Sequence, residues 1–238
     1  MRAAIFGASG GIGRALSAAL ALRHPGADIF NGARAANTVA DLPGTPFAFD
    51  LAVEESIVQA ARRMGAGGPL DLAIVATGIL QRGEQIKPER SFRQIDPEAM
   101  AEVFRINTIG PAIIAKHVLP LFPRDGRPVF VAISARVGSI GDNRLGGWHS
   151  YRASKAALNM LVRNLAIEMR TRNPESIVAA LHPGTVDTPL SKPFQRNLRS
   201  GQLASPSVSA GHLLDVIDRL TSAESGHMLS WEGEILPP

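Results

Sequence analysis

The chain has 238 residues, 45% of them hydrophobic, with no cysteine and a formal net charge of +4. Such a length and apolar content suit a single globular domain over residues 1–238, and the missing cysteine excludes disulfides and thiolate chemistry. No apolar run reaches the ~18 residues of a membrane span, Met1 leads straight into a strand-like run rather than a signal peptide, and the arginines form no basic stripe with stacking aromatics; a cytoplasmic protein with neither membrane nor nucleic-acid partner is expected.

In chain order, short apolar runs alternate with longer helical patterns. The first strand is read at Arg2–Phe6, followed by a glycine-rich turn and a helix over Gly11–Arg23. Strands follow at Ala27–Asn31 and Pro46–Asp50, then a helix over Val53–Met64. A fourth strand covers Leu70–Thr77, and one long helix runs from Pro97 to about Leu121. A strand at Arg127–Ser134, a helix over Ser150–Thr171 and a strand at Ser176–Pro183 come next. A helix near Val208–Leu220 and a short strand near Met228 complete the reading. Near-continuous apolar strands fit a sheet covered on both faces. The pattern predicts an α/β fold, a Rossmann-like doubly wound parallel sheet of about seven strands flanked by helices.

The turn after the first strand reads GASGGIG, with Gly7, Ser9, Gly11, Ile12 and Gly13. Glycines there allow a tight turn and close backbone approach to a pyrophosphate, while the helix N-terminus supplies free N–H groups. At the first strand of an α/β chain this predicts dinucleotide binding. After the second strand the chain reads NGARAAN, with Arg34 and no acidic residue. An acid would suit the ribose of NAD; the planar guanidinium suits a 2′-phosphate, so NADP(H) is expected over NAD(H). The plain alternative is a surface arginine among 21.

The only tyrosine, Tyr151, stands four residues before Lys155, one of four lysines. Residues so spaced share a helix face about 5–6 Å apart. A free tyrosine titrates near ~10, and a nearby cation lowers that by roughly 1–3 units, enough for acid–base work. A buried tyrosine beside a snorkelling lysine is the alternative.

These residues and others, in order, resemble the short-chain dehydrogenase/reductases. GASGGIG is similar to the family's cofactor turn, Asp50-Leu51 to its adenine contact, RINTIG to the segment carrying its helix asparagine at Asn107. YRASK matches its Tyr-x-x-x-Lys, and HPGTVDT, His182 to Thr188, its Pro-Gly segment. SARVGSIGDN, GGWHSYRASKAALN and SGHMLSWEG look most like the branch of sniffer-type carbonyl reductases and C-factor-like proteins. The resemblance implies an NADP(H)-dependent reductase interconverting a carbonyl and an alcohol, with Tyr151 as proton donor. It implies that Lys155 holds the nicotinamide ribose, that Asn107 holds a water joined to Lys155, and that Pro183, Gly184, Val186 and Thr188 lie against the nicotinamide. No metal is implied. A homodimer or homotetramer is expected from family habit and the alanine-rich faces of the two long helices.

Three of these residues have local alternatives: Asp50 as N-cap of the next helix, Asn107 bonding backbone at a helix irregularity, and Thr188 as a turn residue. The family's catalytic serine is displaced here. Where Ser-Ser-x-x-Gly is usual, this chain reads Ser134-Ala135-Arg136-Val137-Gly138-Ser139, so Ser134 is the first candidate and Ser139 the reserve. The fourth strand ends Val75-Ala76-Thr77-Gly78 where Asn-Asn-Ala-Gly is usual, so Val75 and Ala76 replace the family's asparagines. The Ser/Pro/Gly-rich stretch Pro189–Pro206 lies where a substrate lid would, or is a solvated loop; Lys192, Arg196 and Arg199 on it would favour an anionic substrate, and Trp148 and Phe194 are candidate pocket residues. The C-factor likeness and the displaced serine raise a rival expectation, an NADP-binding signalling or sensor protein with little turnover.

Overall fold

The computed structural model describes residues 1–199 and 201–238. Strands β1 (Arg2–Phe6), β2 (Asp28–Ala33), β3 (Thr45–Ala48), β4 (Leu72–Val75), β5 (Val129–Ile133) and β6 (Ile177–His182) form one parallel sheet. β7 (Thr185–Val186) and β8 (Leu203–Ala204) make a separate two-residue pair. β9 (Met228–Ser230) closes the large sheet, whose order is β3-β2-β1-β4-β5-β6-β9. The expected doubly wound α/β architecture is therefore present.

Side chains alternate across each strand and divide the core in two. Ala3 and Ile5 pack with Leu16 and Leu20 of α1 (Gly11–Arg23) and with Leu213 and Ile217 of α6 (Pro206–Arg219). Ala4 and Phe6 face the opposite layer. There they meet residues of α2 (Glu54–Gly65), α4 (Gly110–Val118) and α5 (His149–Arg172), among them Ile57, Ile114, Leu158 and Val162. Phe6 also meets Phe47 and Phe49 edge-on, at centroid distances of 5.2 and 5.1 Å. Such pairs contribute about 0.5–1.5 kcal/mol beyond area burial. No helix among the described residues is long and apolar enough to cross a membrane.

Several boundaries differ from the sequence reading, each for a local reason. β2 runs on to Ala33 because Gly32 and Ala33 pair with Phe47 and Ala48. β4 stops at Val75, short of Thr77. Beyond it the N–H and C=O of Ile79 are taken by the Asn107 side-chain amide instead of a neighbouring strand. The long helix read from Pro97 to Leu121 is three segments: α3 (Pro97–Phe104), a π-helical turn at Arg105–Ile109, and α4. Pro111 has no N–H to return to the carbonyl of Asn107, which breaks the regular ladder at this point. The Pro189–Pro206 stretch, read as loop, holds a 3-10 turn at Lys192–Asn197 and β8; Ser200 within it lies outside the described residues.

Strand order reverses between β1 and β4. In such sheets a crevice opens beyond the carboxyl ends at that point. The glycine turn, Arg34, Asp50, Tyr151, Lys155 and the Pro183–Thr188 segment fall along it.

Candidate active site

The glycine turn is held open by its own sterics. Gly7 has a φ of 95°, and its N–H and that of Ala8 donate to the Gly32 carbonyl at 3.0 and 2.8 Å. A Cβ at Gly13 would stand 2.2 Å from the Gly7 carbonyl oxygen, so only glycine lets α1 start this close to the turn. A Cβ at Gly11 would stand 2.8 Å from Cγ2 of Thr188, which brings the turn and the segment after β6 together. The first turn of α1 has no side-chain cap and no acidic residue. Its N–H groups and positive dipole end therefore remain available to an anion.

A cavity of about 330 Å³ lies beside this turn, lined by Gly7, Ser9, Arg34, Asp50, Leu51 and Thr77 among others. Arg34 is exposed at its rim. Asp50 does not cap the following helix. That helix begins after Val53, and Oδ1 of Asp50 accepts from the Ala52 N–H at 2.8 Å. Across Ala76, Thr77 and Gly78 this cavity meets a second one of about 340 Å³. The second holds Ile12, Ser134, Tyr151, Lys155, Pro183, Gly184, Val186 and Thr188. The donor set and the glycine-lined cradle fit a phosphorylated dinucleotide laid along the crevice.

Tyr151 and Lys155 are both buried on α5, at 9% and 3% exposure. Nζ of Lys155 lies 5.9 Å from the tyrosine ring centroid and donates to the Ile133 carbonyl at 2.9 Å. The expected lowering of the tyrosine pKa by its neighbour is not seen. Burial dominates both groups: it pushes the phenol up to about 12 and the ammonium down to about 8. The phenol is thus held in its protonated form.

Asn107, fully buried in the π-helical turn, bonds both backbone groups of Ile79 at 2.8 Å and donates to Ser154 Oγ at 3.1 Å. A Cβ at Gly78 would sit 3.5 Å from its Oδ1 and 3.6 Å from Lys155 Nζ, so both groups flank the same glycine. Ser134 reaches the Tyr151 cavity, but its hydroxyl donates to Asn159 Oδ1 at 2.7 Å. Ser139 does not reach it. That hydroxyl accepts from Asp142 N at 3.0 Å and contacts the Pro238 carbonyl at 3.4 Å, and it lines a different cleft. Ala135 lines the Tyr151 cavity in the place where the serine is usual.

Two further groups, Glu89 and His182, were not legible as site residues. Glu89, at 6% exposure, accepts from the Ser150 backbone N–H at 3.3 and 3.2 Å and from the Ser150 hydroxyl. It thereby caps the helix that carries Tyr151, because Trp148 supplies no cap of its own. Trp148 has a φ of 49° after two left-handed glycines and donates to the Glu89 carbonyl at 2.6 Å. Its ring meets Phe194 at 4.9 Å over the cavity, as expected for both. His182 lines the cavity with its Nδ1 buried and unpartnered, and burial, then Arg136, lowers its pKa to about 4.

A glycine turn, a doubly wound sheet and a buried Tyr–Lys helix at its switch point define a dinucleotide-dependent oxidoreductase architecture. Residues 2–199 match the short chain dehydrogenase family, and the chain belongs to it. It is 32% identical over 237 residues to 1-hydroxy-2-glutathionyl-2-methyl-3-butene dehydrogenase of Rhodococcus sp. (strain AD45), covering 98% of this chain and 97% of that one. It is 35% identical over 144 residues to C-signal of Myxococcus xanthus, covering 60% of this chain and 81% of that protein. The structure of NADPH-bound carbonyl reductase from chicken fatty liver superposes with a TM-score of 0.84 at 27% identity, covering 100% of this chain and 94% of that one.

Lys155 makes stability depend on pH. Its pKa falls on folding, from 10.5 to about 8, so the unfolded chain binds the proton more tightly. Stability of the free protein then rises with pH from about 8 toward the unfolded value, until the tyrosine, raised on folding, opposes it above its own unfolded value of 10.0. We expect Lys155→Met to raise stability at pH 7 by on the order of 1–3 kcal/mol and to remove the rise between about pH 8 and 10. Urea unfolding across that range measures both; an unchanged pH slope would contradict the assignment.

Proposed function

We propose that this chain is an NADP(H)-dependent reductase that interconverts a ketone or aldehyde and an alcohol, acting through one domain formed by residues 1–238. The observation that carries the reading is the meeting, at one cavity, of the buried protonated Tyr151, of Lys155 and of the Pro183–Thr188 wall. The names of two similar proteins, a carbonyl reductase with NADPH bound and a dehydrogenase of a hydroxy compound, support the reaction class and the cofactor.

Each residue takes a role its chemistry allows. The Gly7–Gly13 turn, with Ser9, Gly11 and Ile12, receives the pyrophosphate on free N–H groups. Arg34 takes the 2′-phosphate by charge-assisted bonds. Asp50 and Leu51 line the adenine end. Lys155 serves the ribose, and Pro183, Gly184, Val186 and Thr188 hold the carboxamide side. NADPH, when bound, supplies the hydride. Tyr151 then delivers its proton to the carbonyl oxygen, a step for which a phenol protonated at neutral pH is suited. Asn107 stands behind Gly78, near Lys155, and supports proton resupply from that side. Ser134 orients the substrate oxygen once its hydroxyl leaves Asn159. Ser139 takes no part.

A second reading, an NADP-binding signalling protein with little turnover, is favoured by two observations: the occupied Ser134 hydroxyl beside Ala135, and the similarity to C-signal. Association into a homodimer or homotetramer is supported by Met160 and Ile167, which are 62% and 49% exposed on α5. A monomeric mass by light scattering would count against it.

Loss of NADPH absorbance with a panel of aldehydes and ketones tests the main reading. Wild type should turn over, with NADPH preferred to NADH. Tyr151→Phe should lose roughly 10²–10⁴-fold in kcat with NADPH binding retained. Ser134→Ala should lose about ten-fold and Ser139→Ala almost nothing, since a serine that only orients contributes less than the proton donor. Tight NADPH binding with no turnover of any carbonyl would favour the signalling reading.

A further inference from the structure

Next to the Tyr151 cavity lies a much larger one, of about 1160 Å³. The two share Arg136, Val137, His182, Pro183, Gly184 and Thr185, so they form one path from the surface to the phenol. Their linings contrast. The inner chamber is walled by apolar side chains such as Leu80, Val186, Leu190 and Phe194. The outer chamber carries three arginines, Arg136, Arg144 and Arg152, against one lining carboxylate, Asp142.

The partners of these arginines decide which charge is available. Arg136 pairs with Asp142 at 2.6 Å, and Glu232 and Glu234 act on it from outside the lining. Arg152 donates to the carbonyls of Gly146 and Gly147 at 3.1 Å and of Val137 at 3.3 Å, none of which neutralises it. Arg144 is exposed and, among the described residues, has no carboxylate within ion-pair distance; its field reaches Asp142. Stacked His212 and Trp231, 4.8 Å apart at 24°, add a flat aromatic wall. This chamber adjoins β6, on the far side of the switch point from Arg34 and the glycine turn. Its positive charge is therefore not explained by cofactor phosphates.

We propose that the outer chamber is an anion-receiving subsite: the substrate has an apolar reacting end that fits beside Tyr151 and, some bonds away, a carboxylate or similar anionic group held by Arg144 and Arg152, the two lining arginines without a carboxylate partner among the described residues. This rests on the reductase reading above and adds the substrate class to it. A guanidinium fork matches a carboxylate in two parallel bonds, and an aromatic wall favours a substrate with a flat or apolar middle. The lid residues Lys192, Arg196 and Arg199, named from the sequence, do not line this chamber; the arginines of the β5–α5 connection do.

The test uses the full chain with NADPH and two substrate pairs: 9-oxononanoate with its methyl ester, and 4-formylbenzoate with its methyl ester. In at least one pair the acid should exceed the ester in kcat/KM by on the order of ten-fold, as two partly exposed ion pairs allow, with the difference in KM. The ratio should shrink as salt is raised. It should fall toward one in Arg144→Gln and Arg152→Gln, and fall less in Arg144→Lys, which keeps the charge but loses the fork. Esters reduced as well as acids in both pairs would overturn the subsite and leave the reductase reading standing. If no carbonyl compound is reduced, the reductase reading fails, and fluorescence of Trp148 and Trp231, the only tryptophans, decides the subsite. Salt-sensitive quenching by the acids that weakens in Arg144→Gln supports it, and equal quenching by acid and ester sinks it.

Discussion

A lysine ammonium buried beside a phenol is the costly arrangement on which the rest of this site depends. Lys155 is 3% exposed, and among the described residues its recorded hydrogen bond goes to one carbonyl, that of Ile133. Removing such a charge from water is unfavourable unless something else is gained. Burial that draws the lysine down and the tyrosine up identifies the end of the crevice where both proton and charge can be controlled. The surrounding structure serves that end. Glu89 caps the start of α5, Ser154 bonds back to the Tyr151 carbonyl at 2.8 Å, and Gly138 lets the β5–α5 connection press against Lys155.

Sheet order turns distant sequence motifs into one groove. Arg34 follows β2, the glycine turn follows β1, Thr77 follows β4, Ser134 follows β5 and Pro183 follows β6. In the order β2-β1-β4-β5-β6 these ends lie side by side. On the proposed reading, a ligand with phosphates at one end and a redox ring at the other lies across these five strand ends. The close approach of Thr188 to Gly11, where a Cβ would stand 2.8 Å from its Cγ2, brings the glycine turn and the segment after β6 together.

Much of this was legible because the constraints are local. A glycine turn between strand and helix, and two residues four apart on a helix, have geometric meaning before any fold is known. What stayed hidden depends on partners far along the chain. Glu89 caps a helix 61 residues on, and nothing near ERSF marks it. The tyrosine's pKa runs opposite to the sequence expectation because helix spacing gives the distance to Lys155 but not the burial that outweighs it. Whether Ser134 or Ser139 enters the cavity depends on which tertiary partner each finds, Asn159 or the chain's last residue. The π-helical turn had a visible cause in Pro111, yet its consequence, freeing Asn107 to hold Ile79, needs the end of β4 alongside.

Because Tyr151 is the only tyrosine, tyrosinate absorbance near 295 nm reports it alone. The most direct measurement is a pH titration of that signal in the free protein and in the protein saturated with NADP⁺, whose oxidised ring carries positive charge. The account predicts no tyrosinate in the free protein up to about pH 10, and its appearance below that once the cation is bound beside the phenol. Identical titrations with and without NADP⁺ would mean that the phenol does not stand next to the nicotinamide, and would contradict the account.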